Sequence, residues 1–204
     1  MNFDKEFKEA IIRLPSREKN KLIFRLLKYD LDLANRLYFE LISGDSKEDR
    51  RKQAKKAVTN NINAVKEHIR YDNPRIMLIY MRETSEIINE HIKITKDKYG
   101  EIELQIFMVK EFLTLYNDNF KDYPAEKSHK LNVYFVSRMF KILILLKKMH
   151  EDLMIDFADD LETIGHLFSD NPTLMAVATY SNLDINWLID NEIPDDIVEI
   201  NREM

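Results

Sequence analysis

The sequence predicts an all-α fold, a single irregular helical bundle of about eight or nine helices. Three observations carry this reading. Apolar residues recur at helical spacing almost throughout, and no segment alternates with period two for long enough to make a strand. Only three glycines and five prolines are available for turns in 204 residues. A chain of this length buries roughly 70% of its unfolded surface, so its core requires neither metal nor disulfide.

Three short helices open the chain. Residues 3–13 end at Leu14-Pro15, and Ser16 is placed to cap a second helix carrying Leu22, Ile23, Leu26 and Leu27. A third over about 31–43 turns Leu33, Ala34, Leu37, Tyr38 and Leu41 inward, with Gly44 as its stop. Four long helices follow. Residues 46–71 start at a Ser46 cap with Asp49 three residues in, and their stripe Ala54, Val58, Ile62, Val65, Ile69 begins only after two polar turns. Asn73-Pro74 opens a helix over 75–97 that ends before Gly100. Residues 101–120 carry apolar groups on two sides, and 125–158 hold the most apolar segment, placed at the centre. Shorter helices are expected at about 159–168, 172–180 and 185–191, the last two capped by Asn171-Pro172 and Asp184. The chain thus divides into an N-terminal part (1–44), a long-helix core (46–158) and an acidic C-terminal part (159–204).

Charge is unevenly placed. The net −5 is the sum of +6 over residues 1–71, +2 over 72–150 and −13 over 151–204, where Arg202 stands alone against fourteen carboxylates. Such asymmetry reports either a partner or an internal electrostatic match. The N-terminus carries Asp4, Glu6 and Glu9 and lacks the apolar run of a signal peptide. Val133–Leu146 is interrupted by Arg138 and Lys141 and is shorter than the ~20 residues of a membrane span. With no cysteine to oxidise, a soluble cytoplasmic protein that does not enter membranes is expected.

Two constellations could carry function. Glu83, Glu86 and Glu90 share one helical stripe, which Asp97 continues. Asp152, Asp156, Asp159 and Asp160 form a second ridge. Facing ridges of this kind can hold Mg²⁺ through oxygen ligands and present a triphosphate to a metal-bound water. All-helical nucleoside triphosphate pyrophosphatases use a motif resembling ExxE followed by ExxD. Here Glu83-Thr-Ser-Glu86 matches the first half, and Asp156-Phe-Ala-Asp159 approaches the second about seventy residues on. Histidines offer no metal pattern: Glu126 and His129 make one ExxH, and no second exists.

The other constellation is basic. Arg50, Arg51, Lys52, Lys55 and Lys56 crowd the first turns of the 46–71 helix, where the apolar stripe is absent. That end is expected to project as a surface for an acidic protein partner, with phosphate backbone as a weaker alternative because no aromatic residue is interleaved. Residues Met175–Leu188 have the outline of a helix-turn-helix with Asn182 at the bend. The second helix lacks Lys and Arg, so packing or protein contact fits it better than DNA, with Trp187 as a core anchor.

Residues 14–42, 89–104 and 140–153 resemble a group of small bacterial all-helical proteins without an established mechanism, some labelled deoxyuridine triphosphate hydrolase. That resemblance implies the Mg²⁺-carboxylate chemistry above. The leading expectation is nevertheless an interaction or adaptor protein with no cofactor, for which self-association is open, and the Mg²⁺-dependent nucleotide hydrolase is the alternative. On the hydrolase reading, Glu86→Gln abolishes Mg²⁺-dependent turnover of a nucleoside triphosphate panel while thermal stability stays unchanged; equal turnover by both proteins counts against it.

Overall fold

The computed structural model describes residues 3–68 and 73–202. Every regular element among them is helical, which bears out the fold class. The order is α1 (Lys5–Arg13), α2 (Ser16–Leu27), α3 (Leu31–Leu41), α4 (Lys47–His68), α5 (Pro74–Thr95), α6 (Lys98–Phe120) and α7 (Ala125–Leu146). Then come α8 (Glu151–Met154), a 3-10 turn (Ile155–Phe157), α9 (Ala158–Ser169), α10 (Pro172–Tyr180), α11 (Asn186–Ile189) and α12 (Ile197–Arg202).

The core sits around α6, which packs against α4, α5, α7 and α9. Its buried residues include Ile102, Leu104, Met108, Phe112, Leu113 and Tyr116, so more than one side of the helix is covered, as the sequence predicts. Tyr116 stacks on Phe120 of its own helix and on Phe135 of α7, with ring centroids 6.1 and 5.6 Å away. From α7 come Phe135, Met139, Phe140, Ile142 and Leu143, all fully buried. These two helices supply most of the large side chains removed from water, the dominant stabilising term in such a bundle.

Polar side chains rather than glycines set the helix boundaries. Ser46 and Asp49 cap α4 reciprocally: Asp49 N–H donates to Ser46 Oγ at 3.1 Å, and Ser46 N–H donates to Asp49 Oδ2 at 3.0 Å. Asn73 and Asn171 cap helices whose first residue is proline, where the missing N–H costs nothing. The left-handed positions are Lys96, Asn182 and Asn191, while no described glycine has positive φ.

Several expectations need correction. The 125–158 helix is not continuous. It stops at Leu146, after which Lys148 and Met149 bond back only three residues and His150 takes an extended conformation, while the Lys147 side chain donates to the Ile193 carbonyl at 3.1 Å and pairs with Asp195 at 2.7 Å. This split, together with α12, gives more helices than the eight or nine expected. Gly44 is not a left-handed stop, and Gly100 lies inside the first turn of α6 rather than before it. Ser16 is the first residue of α2 and makes no cap bond, while Pro15 takes the cap position. The second helix of the helix-turn-helix outline is a single turn, and its anchor is buried Leu188, with Trp187 only half-buried. Asn182 does bend as expected. Ile69 and the expected end of its helix at residue 71 lie outside the described residues.

The largest correction concerns the N-terminus. No residue of α1, α2 or α3 is buried, and the first buried side chain along the described chain is Ala54. Leu33, Tyr38 and Leu41 were expected inward; all three are exposed, Leu41 at 78%. α3 lies along α5, tied by Lys93 to Asp32 at 3.0 Å, and α2 touches α3. Periodicity identifies an apolar face, but it does not say what covers it. Deleting bulk in the core should therefore be costly where the same change in the arm is not. Phe135→Ala and Leu143→Ala should each lose about 2–5 kcal/mol in urea unfolding. Phe24→Ala, at a site 65% exposed, should stay within about 0.5 kcal/mol of the parent.

Candidate binding surfaces

At the basic start of α4, two of the five cations, Arg51 and Lys55, turn toward the body of the chain while Lys52 and Lys56 stay exposed. Arg51 reaches across to the turn between α5 and α6 and grips Asp97 with two bonds, Nε to Oδ2 at 2.8 Å and Nη2 to Oδ1 at 3.0 Å. Its third nitrogen donates to Glu103 at 3.3 Å, where Lys55 joins at 2.9 Å. The guanidinium also lies over the Tyr99 ring, 4.9 Å from its centroid. Asp97 is at the same time the N-cap of α6, accepting from Gly100 N–H at 3.1 Å. Gly100 is required here: a Cβ would collide with the Asp97 carboxylate and come within 2.6 Å of Arg51 Nε. Buried His91 places Nε2 3.5 Å from Asp97 Oδ2.

These contacts fix the ionisation of the cluster. Burial alone would raise the Asp97 carboxyl, but the Arg51 bonds and the Gly100 amide outweigh it and hold it below its usual value. Burial depresses His91, and Asp97 only partly offsets this, so the ring is kept neutral. Arg51 and Lys55 therefore spend their charge inside the chain, an internal electrostatic match. Lys52 pairs with Glu48 one turn earlier at 3.0 Å and stays exposed, Arg50 donates to Gln53 at 3.3 Å, and Lys56 is exposed.

The carboxylate ridges fare differently. Glu83, Glu86 and Glu90 are all exposed on α5, and Asp152, Asp156 and Asp159 are exposed around α8 and the start of α9. Asp156 accepts from the Tyr99 hydroxyl at 3.2 Å, and Asp160 pairs with Lys110 of α6. Among the described residues no three Asp, Glu or His side chains converge on a point where a cation would sit. The expected continuation of the first ridge, Asp97, is buried and committed to Arg51.

Sequence reasoning missed two surfaces. The first is a groove between α5 and α7 of about 520 Å³, whose floor is Leu78, Ile79 and Leu131 and whose rim carries Arg75, Arg82, Lys127 and Lys130. Beyond it, Arg82 and Arg138 both approach the Tyr134 ring, at 5.9 and 4.7 Å. Among the described residues no carboxylate lines this groove, and its four cations favour anions. The seven-residue spacing of Arg75 and Arg82 on α5 was the available signal, but pairing it with α7 required the packing.

The second is the apolar face of the N-terminal arm. Phe3, Phe7, Ile11, Ile12, Ile23, Phe24, Leu26, Tyr29, Leu31, Leu33, Tyr38, Leu41 and Ile42 are thirteen of the eighteen exposed large hydrophobic residues described. Among the described residues no helix is long and apolar enough to cross a membrane.

The Arg51 cluster predicts how stability depends on pH. Asp97 has a lowered folded value, so its contribution is complete above the ordinary carboxylate range and is lost as pH falls through that value. His91 is also lowered from 6.5, so the unfolded chain takes up its proton first and stability declines as pH drops below about 6.5. The urea midpoint should be flat from pH 8 to 7, fall below about 6.5 and fall again near 4. His91→Gln should remove the upper step only, and Arg51→Ala should cost roughly 3 kcal/mol at neutral pH by stranding the Asp97 charge. Comparison of the chain with protein-family models, with curated proteins and with solved structures finds no match.

Proposed function

We propose that this chain is a helical interaction protein, an adaptor whose contact element is the N-terminal arm α1–α3. One observation supports this above the others: three successive helices bury none of their residues while carrying most of the chain's exposed aromatic and aliphatic side chains. Monomeric proteins seldom leave an apolar patch larger than a few hundred Å² open to water, and a larger one marks a contact surface. The arm is also preformed. Asp4 caps α1 through Phe7 N–H at 2.7 Å, Asp30 caps α3 through Leu33 N–H at 2.9 Å, and the Phe3 and Phe7 rings meet at 5.3 Å. A helix ordered before binding loses less conformational entropy on docking.

The basic residues at the start of α4 have a smaller part in this reading than their sequence suggests. With Arg51 and Lys55 held by Asp97 and Glu103, only Arg50, Lys52 and Lys56 are left for an acidic partner. The Mg²⁺-dependent nucleotide hydrolase draws no support from the placement of the described carboxylates.

The arm variant Phe7→Asp/Phe24→Asp tests the proposal. Both side chains are exposed, so the helical circular dichroism spectrum and the unfolding midpoint should match the parent, while every protein association of the parent is lost. Associations that survive the double variant intact would remove the arm as the contact element.

A further inference from the structure

The surface area of the chain says how much of it is unpaired. A folded monomer of 24.4 kDa is expected to expose about 10,000 Å². This chain exposes 12,933 Å², an excess of about 2,900 Å² over that expectation. Stable dimers bury about 1,600 Å² in total at the standard size and 2,000–5,000 Å² when obligate. One copy gives up half of each total, about 800 Å² or about 1,000–2,500 Å², so the excess is large enough to cover its share of a dimer interface.

A second unpaired surface lies at the other end of the sequence. Met149, Met154, Ile155, Ala158 and Ile193 line a groove of about 490 Å³ between the end of α7, α8 and the segment before α12. Ile155 stands 75% exposed at its edge, with Leu153 exposed beside it on α8. Glu192 lines the groove too, together with Lys147, whose charge is paired with Asp195 at 2.7 Å. Asp190 and Glu192 follow α11, Asp152 lies on α8, and the 151–204 segment as a whole carries −13.

The arm has the opposite charge. Residues 5–28, spanning α1 and α2, hold eight Lys/Arg against three Glu, a net of +5. Ile23, Phe24 and Leu26 on α2 stand exposed among Lys19, Lys21, Arg25 and Lys28. A basic amphipathic helix and an apolar groove set in a strongly acidic segment are complementary in both charge and polarity. Among the described residues they share no extensive contact within one chain: α2 touches α3, and α3 lies along α5.

Resting on the reading of the arm as the contact element, we propose that its partner is a second copy of this chain, with α1–α2 of each copy seated in the Met149–Ile155–Ile193 groove of the other. Reciprocal seating closes a two-fold dimer and leaves neither surface open.

The experiment uses the full chain with two exposed-site variants, Phe7→Asp/Phe24→Asp in the arm and Ile155→Asp in the groove. Light scattering on a sizing column should give the parent about 49 kDa, twice the 24.4 kDa chain mass. Each variant alone should weaken dimerisation about 30-fold or more with an unchanged circular dichroism spectrum, and added salt should weaken the parent dimer. An equimolar mixture should restore a heterodimer, because the intact arm of one variant fits the intact groove of the other. A parent that is monomeric at 100 μM overturns the proposal. If that monomer still captures another protein through its arm, the interaction reading stands and self-association falls. Dimers lost in the arm variant but kept in Ile155→Asp, with no rescue on mixing, mean arm-to-arm pairing and overturn the groove assignment.

Discussion

The Arg51–Asp97 ion pair fixes how the long helices meet. Asp97 cannot be a solvated carboxylate, because it is the cap of α6 and sits in a turn closed by His91 and Gly100. A buried charge without a partner is costly, so the position requires a cation, and a bidentate guanidinium is the geometry that satisfies both oxygens. Arg51 supplies it from α4, and this registers the start of α4 against the α5–α6 turn. From there the connection runs on. Tyr99 lies beneath Arg51, meets the Phe157 ring at 5.1 Å and donates to Asp156, so one cluster joins α4, α6 and the approach to α9.

That arrangement divides the molecule into parts with different demands. From Ala54 onward, apolar stripes are covered and α6 is enclosed. Before it, three helices bury none of their residues, and two of them, α1 and α3, carry side-chain caps. A cap stabilises a helix locally by about 1 kcal/mol and supplies no burial. The arm therefore has local order without a core of its own, which suits an element whose burial comes from association.

Much of the fold was legible in the residues. Helical spacing located every long helix, Asn73-Pro74 and Asn171-Pro172 marked two starts, and Ser46 with Asp49 marked a third. The misses share a physical cause. The 125–158 element breaks at Lys147–His150, whose neighbours Ile193 and Asp195 lie 46 and 48 residues away, and no local pattern encodes these. Arg51 and Lys55 looked free because their carboxylate partners lie 46 and 48 residues on. The arm looked buried because an amphipathic stripe is identical whether its cover belongs to the same chain or to another. Of the candidate sites, the chemistry of the residues was readable, but their convergence was not.

The enclosure of α6 also governs how the chain can be made. Its covering helices lie on both sides of it in sequence, α4 and α5 before it and α7 and α9 after it. During synthesis Leu104, Met108 and Phe112 emerge early, yet their last cover, α9, is not complete until Ser169, 49 residues after Phe120. At ribosomal rates of about 5–20 residues per second, that interval is roughly 2–10 s. For those seconds the side of α6 that α9 covers stays open to water. Folding of this bundle is thus coupled to the completion of its C-terminal half.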